Sequence, residues 1–459
     1  MLPHHWFSSL YHKSPERFES TIKGGDDAAC LAFWTLMADT PFVQRHPFLA
    51  HEHQARTIPI GLYGDAGSFS HQESLYVFTW NSLLGVGQTM AKRYLATCIR
   101  KSDVVAGTFD TIFRILAWSC NALLSGITPE VDWKQAPLVD GGRYLADGYR
   151  ACLTQVRGDW EFYCSIFAFP RWNEAVNLCW LCEASSSGPL RFSNFADNAP
   201  WRATRHTHES YVAKRLANGQ ALPALFEHAV GFRLECVMID LLHCCDQGFA
   251  LHLIGNIFHE CISRGVFCAG GKQANLEALD AALLKWYKRE KVESRIKGKL
   301  TMERVRSSNG WPKLKCKAAA ARHVAPFALE LARQHLDRRM IAMCQLLCEF
   351  FVLINAQGMF LDNDAKDRLP KLGRALCGLY AQQSTAAFDA GIKTWKMTPK
   401  VHIFLHVCEW QGPSAGNPRF YWTYADEDLV GVMIEVAQSC HWTTMAPTAM
   451  VKWLVLNFE

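Results

Sequence analysis

Residues 57–102 contain three consecutive runs with the composition of β-strands. The runs are TIPIGLYGDAGSF, SLYVFTWNSLLG and KRYLATCIRKS, and they are rich in β-branched and aromatic residues. They predict a meander of three strands. Ser102–Gly126 follows with apolar residues at helical spacing, and ACLTQVRGDW then predicts a fourth strand ending at Asp159. Three strands, a helix and a further strand predict a mixed α/β fold.

The composition is that of a globular protein, with 49% apolar and 12% aromatic residues. The 18 cysteines are scattered, often on apolar stretches such as MCQLLCEFF, which is typical of free thiols in a reducing, intracellular compartment. We expect no secretory signal peptide, because the start MLPHHWFSSLYHKSPERF lacks a basic region followed by an apolar one. We also expect no membrane span, because the best apolar stretches carry Asp240, His243 or Glu349. The last stretch, VKWLVLNFE, ends while still apolar, which predicts a fragment or a shortened gene copy.

Sequence motifs argue against several enzyme classes. The segment CAGGKQ lacks the first Gly and the Ser or Thr of a phosphate loop, and no G-x-S-x-G occurs. A nucleotide-driven motor, a nucleotide cofactor and a serine hydrolase are therefore not expected.

Positive charge is concentrated in one stretch of the chain. Between Lys285 and Arg322 there are 13 Lys and Arg against three Glu, a net of +10, whereas the whole chain has +5 and the remainder therefore −5. Such a stretch predicts binding to a polyanion, and a solvated helix face is the alternative. The candidate residues are Lys285, Lys288, Arg289, Lys297, Lys299, Arg304, Arg306, Lys313, Lys315 and Lys317.

A possible metal motif begins at the pair Cys179 and Cys182. A C-x-x-C turn presents two thiolates, and tetrahedral zinc needs two further nitrogen or sulfur ligands. His206 and His208 follow in a polar loop, and we predict that they complete a structural zinc site. An incidental cysteine pair and a redox pair are the alternatives.

Three carboxylates stand where a predicted strand or helix end meets a turn. They are Asp65 in LYGDAGSF, Asp159 in VRGDWEF and Glu427 in TYADEDLVG. Carboxylates that converge from distant segments can hold Mg²⁺ and drive in-line attack on a phosphodiester. Ordinary turn chemistry is the alternative for each Asp taken singly.

Asp240 and His243 lie three apart in the apolar segment VMIDLLHCCDQGFALHLIGNIF. This spacing puts both on one helical face, where they can bind a metal, share a proton or satisfy each other. Because the other carboxylates are better placed for metal, we predict a buried hydrogen-bonded pair. We expect this pair to fix the helix that it begins against the predicted sheet.

In their order along the chain, these segments resemble DDE transposases of the Plavaka and CACTA types, from about residue 56 to 445. The first-strand segment IPIGLYGDAGSF is similar to the one that carries the family's first catalytic Asp. The segment QVRGDWEF, shortly before the C-x-x-C, is similar to the segment that carries the family's second catalytic Asp. IDLLHCCDQG matches the family's D-x-x-H helix, and TPKVHIFLH followed by YWTYADEDLVG resembles the segment of the catalytic Glu.

The resemblance implies roles for particular residues. Asp65, Asp159 and Glu427 would hold two Mg²⁺ or Mn²⁺ ions, although the cluster of Asp426, Glu427 and Asp428 leaves the third carboxylate open. The protein would cut a DNA strand and join the freed end to a target in the nucleus, and a homo-oligomer is compatible with this activity.

The implied architecture is an RNase H-like mixed sheet interrupted by a zinc-knuckle loop and a large α-helical insertion. The expected parts are an N-terminal helical segment (1–55), the first part of the catalytic domain (56–170), the zinc-binding loop (171–215), the insertion (216–400) and the closing part of the catalytic domain (401–459). Two alternatives to an active enzyme are a catalytically inactive domesticated derivative that binds DNA or protein, and a zinc-stabilised interaction protein with no nucleic-acid role.

Overall fold

A computed structural model of the chain describes residues 1–26, 28–49 and 51–458. Within these residues one sheet is formed by β1 (Thr57–Ser68), β2 (Ser74–Ser82), β3 (Tyr94–Arg100) and β4 (Arg150–Arg157). In chain order the α-helices of the described part are α1 (Pro3–Lys13), α2 (Pro15–Arg17), α3 (Ala29–Met37), α4 (Pro41–Arg45), α5 (His51–Gln54), α6 (Thr108–Ser125), α7 (Trp160–Phe167), α8 (His208–Ala217), α9 (Ala224–His228), α10 (Ala250–Arg264), α11 (Gly271–Arg289), α12 (Met302–Val305), α13 (Ala318–His335), α14 (Arg338–Ala356), α15 (Asn363–Asp389), α16 (Pro399–His406), α17 (Gly412–Ala415), α18 (Tyr424–Gln438) and α19 (Met445–Phe458).

The sheet has the strand order β3-β2-β1-β4. β1, β2 and β3 pair antiparallel as a meander, whereas β4 pairs parallel with β1. Parallel strands need a crossover connection, and here the segment that leads from β3 to β4 contains α6. α6 ends at Ser125 and is capped by Gly126, whose left-handed φ of 73° favours glycine. The predicted meander, helix, fourth strand and mixed α/β class are confirmed.

Two compact units divide the chain. The first comprises Met1–Arg171, His206–Met238 and Tyr421–Glu459, and the second comprises Trp172–Arg205 and Ile239–Phe420. Residues 216–238 of the predicted insertion thus fall in the first unit, and residues 401–420 of the predicted closing part fall in the second. The five-part division itself stays a prediction.

In the first unit, helices approach both faces of β1 at glycines. A Cβ on Gly64 would lie 2.2 Å from the Phe162 ring of α7, and one on Gly67 would lie 2.9 Å from Val430 of α18. Because side chains alternate along a strand, positions 64 and 67 point to opposite faces. The missing side chains let α7 and α18 pack closely against the strand.

The second unit is helical, and α13, α14 and α15 pack against one another in sequence order. By length and composition α14 is the one helix of the described residues that could cross a membrane. Met343, Leu347, Phe350 and Ile354 are buried at helical spacing on this helix. Packing in the core of the unit therefore accounts for much of its apolar character.

Candidate functional site

The second unit contains a buried cluster of two cysteines and two histidines. Its members are Cys179, Cys182, His402 and His406, and one ligand atom from each lies within 4.8 Å of the others. In the part of the chain that the structure describes, no other group of three or more Cys, His, Asp or Glu ligands meets so closely. Thiolate sulfur and imidazole nitrogen are the donors that structural zinc takes. This cluster is the candidate metal centre.

Two local geometries present the four ligands. The backbone N–H of Leu181 donates to Cys179 Sγ at 3.3 Å, so the C-x-x-C segment turns tightly and directs both sulfurs to one side. His402 and His406 lie four residues apart on α16, and this spacing places both rings on one face of the helix. The cluster therefore joins one turn and one helix.

The distances within the cluster fit tetrahedral zinc. Zn–S bonds of ~2.3 Å and Zn–N bonds of ~2.0 Å put a sulfur and a nitrogen about 3.5 Å apart in a tetrahedral site. Cys182 Sγ lies 3.3 Å from His402 Nε2 and 3.5 Å from His406 Nε2. The described residues thus fit the metal in donor type, number and spacing.

In the cluster, Cys179 favours the thiolate and His406 the neutral imidazole, whereas Cys182 favours the thiol. Burial opposes charge on Cys179, but its hydrogen bonds with Cys182 and the histidines outweigh burial, and its pKa lies well below the usual value. The pKa of Cys182 is raised by burial and then by Cys179. The pKa of His406 is lowered to about 4, first by burial and then by the charge of His402. A thiolate and a neutral imidazole are the forms that bind metal.

Neighbouring groups hold the two imidazoles in place. His402 Nδ1 lies 3.0 Å from the carbonyl oxygen of Phe192, which fixes the ring with Nε2 directed to the cluster. Trp201 packs edge-on against His402 at 4.6 Å between ring centroids, and Trp410 stacks on His406 at 3.9 Å. A carbonyl partner behind a histidine ligand and an apolar surround are typical of structural metal sites.

The two histidines that meet the cysteines are not the predicted His206 and His208. His206 and His208 lie in the first unit, where His208 begins α8 and its Nδ1 accepts from the backbone N–H of Leu234 at 3.2 Å. The cysteines instead meet His402 and His406, more than 200 residues further along the chain. Proximity in sequence had favoured the wrong pair. The H-x-x-x-H spacing in PKVHIFLH was the available signal.

In the first unit, Asp65 within β1 and Asp159 just after β4 lie where the parallel pairing of these two strands ends. Tyr63 of β1 pairs with Arg157 of β4 in parallel register, and each aspartate follows two residues later. Both aspartates lie within electrostatic reach of Tyr76, whose pKa is raised first by burial and then by nearby carboxylates that include these two. Two distant segments thus bring two carboxylates to one region.

Local hydrogen bonds orient these two carboxylates. Tyr63 donates its hydroxyl to Asp65 Oδ2 at 3.1 Å, and the backbone N–H of Ala66 donates to Oδ1 at 2.7 Å. Asp159 caps α7, because its Oδ1 accepts from the backbone N–H of Phe162 at 2.7 Å. Both side chains are half-buried.

The third predicted carboxylate, Glu427, lies in the first turn of α18, the helix that packs on β1. Glu427 lies within electrostatic reach of the buried Tyr63. The pKa of Tyr63 is raised well above its usual value, first by burial and then by nearby carboxylates. Those carboxylates are Asp65, Asp426 and Glu427. Carboxylates of both β1 and α18 therefore lie near this tyrosine.

The structure separates the three acids of the cluster on α18. Asp426 is fully buried and pairs with Arg93 Nε at 2.8 Å and with Arg157 at 3.2 Å, so its charge is already matched. Asp428 is exposed, whereas Glu427 is half-buried. Of the three, Glu427 is the one with both partial burial and proximity to Tyr63.

The carboxylate set fits a hard cation in its donor chemistry, because Mg²⁺ and Mn²⁺ prefer oxygen ligands. Asp65, Asp159 and Glu427 do not bring their oxygens within 4.8 Å of one another among the described residues. The three carboxylates therefore have the donor type of a hard cation site, but they do not have the close spacing that the cysteine and histidine cluster has.

Asp240 and His243 form the predicted hydrogen-bonded pair. His243 Nδ1 lies 2.6 Å from Asp240 Oδ2, and the same carboxylate accepts the backbone N–H groups of Leu242 at 3.0 Å and of His243 at 3.1 Å. The Asp240 side chain is 2% exposed. The pair lies outside the metal cluster and begins the π-helical segment Leu242–Phe249.

Replacing Asp240 by Ala is expected to destabilise the second unit without releasing metal. Three donors would lose a buried acceptor, which costs roughly 2–4 kcal/mol. Thermal melting and zinc content measure the two effects, and the exposed Asp364→Ala serves as control. Loss of zinc in the Asp240 variant alone would contradict a purely structural pair.

The ten predicted DNA-binding cations lie on α11, α12 and the neighbouring segments of the second unit. Five are exposed lysines, namely Lys285, Lys288, Lys297, Lys299 and Lys317. Four are engaged within the chain: Arg289 with Glu330, Lys315 with Glu303, Arg304 with the carbonyl of Lys297, and Arg306 with His259. The tenth, Lys313, is half-buried. DNA binding by this stretch stays a prediction.

Comparison with known proteins adds no relative: no protein-family model matches the chain, and no curated protein matches it.

Proposed function

We propose that the chain is a DDE transposase-like protein with an RNase H-like catalytic unit, which cuts and transfers DNA strands in the nucleus. One observation carries the proposal: Asp65 of β1 and Asp159, just after β4, each follow by two residues the last pair of the parallel strands β1 and β4, in the order β3-β2-β1-β4. The resemblance to DDE transposases implies a catalytic Asp on the first and on the fourth strand. The helix that carries Glu427 packs on the first of these strands.

Asp65, Asp159 and Glu427 are the proposed ligands of Mg²⁺ or Mn²⁺. Bound there, the ions would supply positive charge at the attacking and leaving oxygens of a phosphodiester. Tyr63 orients Asp65 through its hydroxyl, and the cap of α7 orients Asp159. These fixed carboxylates reduce the reorganisation needed when the substrate binds.

The cluster of Cys179, Cys182, His402 and His406 is proposed to hold zinc in a structural role. All four ligands are protein side chains and all are buried. Structural zinc sites are closed in this way, whereas catalytic sites keep a position open for water or substrate. The site is therefore proposed to stabilise the second unit rather than to take part in the chemistry.

A strand-cleavage assay tests the proposed activity. Labelled DNA is incubated with the full chain and Mg²⁺ or Mn²⁺, and the wild type is compared with Asp65→Ala and Glu427→Ala. We expect each variant to lose about 10³-fold or more in rate, because each removes a proposed metal ligand. Asp428→Ala, an exposed neighbour on the same helix, should cleave as the wild type does.

Three outcomes would contradict the proposal. Cleavage that persists in Asp65→Ala would show that Asp65, Asp159 and Glu427 are not the catalytic group. A wild type that never cleaves, yet retains DNA equally with and without Asp65, would favour a catalytically inactive DNA-binding derivative. Zinc in the protein without any DNA retention would favour an interaction protein.

A further inference from the structure

One short 3₁₀ helix, Pro200–Thr204, contacts both halves of the candidate metal centre. One half is the turn that carries Cys179 and Cys182, and the other is α16, which carries His402 and His406. Both halves and the 3₁₀ helix belong to the second unit, although 220 positions separate the second cysteine from the first histidine in the chain. The contacts of this helix therefore bear on how two distant segments come to face each other.

The 3₁₀ helix is joined to the cysteine half through Thr204. The backbone N–H of Glu183, the residue that follows Cys182, donates to Thr204 Oγ1 at 2.9 Å. The same hydroxyl donates to the carbonyl oxygen of Trp201 at 2.7 Å. Because a hydroxyl can donate and accept at once, this side chain links the end of the C-x-x-C turn to the backbone of the 3₁₀ helix.

The 3₁₀ helix is joined to the histidine half through Trp201 and Arg202. The fully buried Trp201 packs edge-on against His402, with 4.6 Å between the ring centroids. Arg202 Nη1 donates to Glu409 Oε2 at 2.5 Å. Glu409 follows His406 by three residues, in the π-helical segment that continues α16. The two contacts therefore hold the part of the chain that carries both histidine ligands.

The ion pair of Arg202 and Glu409 lies largely out of water. The Glu409 side chain is 4% exposed and that of Arg202 is 17% exposed. The second oxygen of Glu409 lies 3.1 Å from Arg374 Nη1, so both oxygens of the carboxylate have a basic partner. Salt screens a buried pair much less than an exposed one, and losing one partner leaves uncompensated charge. None of the atoms in these ion pairs is a metal ligand, so the pairs can form without metal.

We infer that Arg202 and Thr204 are positioning residues of the metal centre, which hold the C-x-x-C turn and α16 at ligand distance before a metal binds. Ligands that are already in place reduce the ordering that binding must otherwise bring about. Small zinc fingers differ in this respect, because they acquire their fold together with the metal. The inference rests on the zinc centre of the proposed function and names the residues that preform it.

Metal titrations of the full chain test these positioning roles. The protein is stripped of metal with a chelator and titrated with Co²⁺, whose visible absorption reports a tetrahedral site, and with Zn²⁺ against a chromophoric chelator. Arg202→Gln and Thr204→Val are compared with the wild type and with the conservative Thr204→Ser. We expect Kd for Zn²⁺ to rise about tenfold or more in the first two variants, with a weaker Co²⁺ band. Thr204→Ser keeps the hydroxyl and should bind both ions as the wild type does.

Two controls separate a positioning role from general destabilisation. Arg333→Gln removes an exposed charge of the same unit. Asp240→Ala removes buried hydrogen bonds of that unit outside the metal cluster. Both variants should bind Zn²⁺ and Co²⁺ with the affinity of the wild type, and the second should do so despite a lower melting temperature.

The titrations can overturn the inference without touching the zinc centre. Unchanged affinity in Arg202→Gln and Thr204→Val, in a wild type that binds zinc, would remove the positioning roles alone. An equal loss of affinity in Asp240→Ala would also overturn them, because the effect would then be one of stability. A wild type that takes up neither ion would contradict the proposed zinc centre and the inference with it. If Arg202→Gln fails to fold, the loss in Thr204→Val and its recovery in Thr204→Ser decide the matter.

Discussion

Replacing Asp426 by Ala is expected to lower the melting temperature of the first unit by about 10 °C. The carboxylate is fully buried and pairs with Arg93 and Arg157, whose side chains are 10% and 2% exposed. Arg157 also donates to Asn81. Removing one partner of a buried ion pair leaves uncompensated charge and costs roughly 3–5 kcal/mol. In a unit of this size, each kcal/mol of lost stability lowers the melting temperature by about 2–4 °C.

The control for this prediction lies two residues away. Asp428 is exposed on the same helix, and Asp428→Ala should change stability by less than about 0.5 kcal/mol. Differential scanning calorimetry measures both. Equal melting temperatures for the two variants would show that the buried arginines find other partners, and Asp426 would again compete with Glu427 for the role of third carboxylate.

Replacing Cys182 by Ser is expected to empty the metal centre and destabilise the second unit. The protein as isolated should carry about one zinc, and the variant almost none, because three ligands no longer close a tetrahedral site. Binding of structural zinc contributes about 10–16 kcal/mol in small zinc-finger domains. The second unit has a helical core of its own, so we expect a smaller loss of about 5 kcal/mol.

His406→Ala should act as Cys182→Ser does, since its Nε2 lies 3.5 Å from the same sulfur. A double variant, His206→Ala with His208→Ala, is the matched control, because those histidines lie in the other unit. Metal content by atomic emission and thermal melting give the two measurements. Zinc lost from the His206 and His208 variant, and retained in His406→Ala, would restore the ligand set that sequence proximity had suggested.

Local patterns in the sequence predicted the features whose parts lie close together in the chain. The three-strand meander and the following helix and strand depend on short-range periodicity, and the structure has them. The pair of Asp240 and His243 also forms as predicted, because three residues span about one helical turn. The turn of the C-x-x-C motif is likewise a local property.

Only the tertiary structure decided which distant residues meet. It joined the cysteines of one turn to His402 and His406, and it matched Asp426 to two arginines. Sequence spacing fixes the face of a helix or strand on which a residue lies, but not the element that covers that face. That choice depends on the packing of the whole unit, in which glycines such as Gly67 and Gly255 set how closely two segments approach.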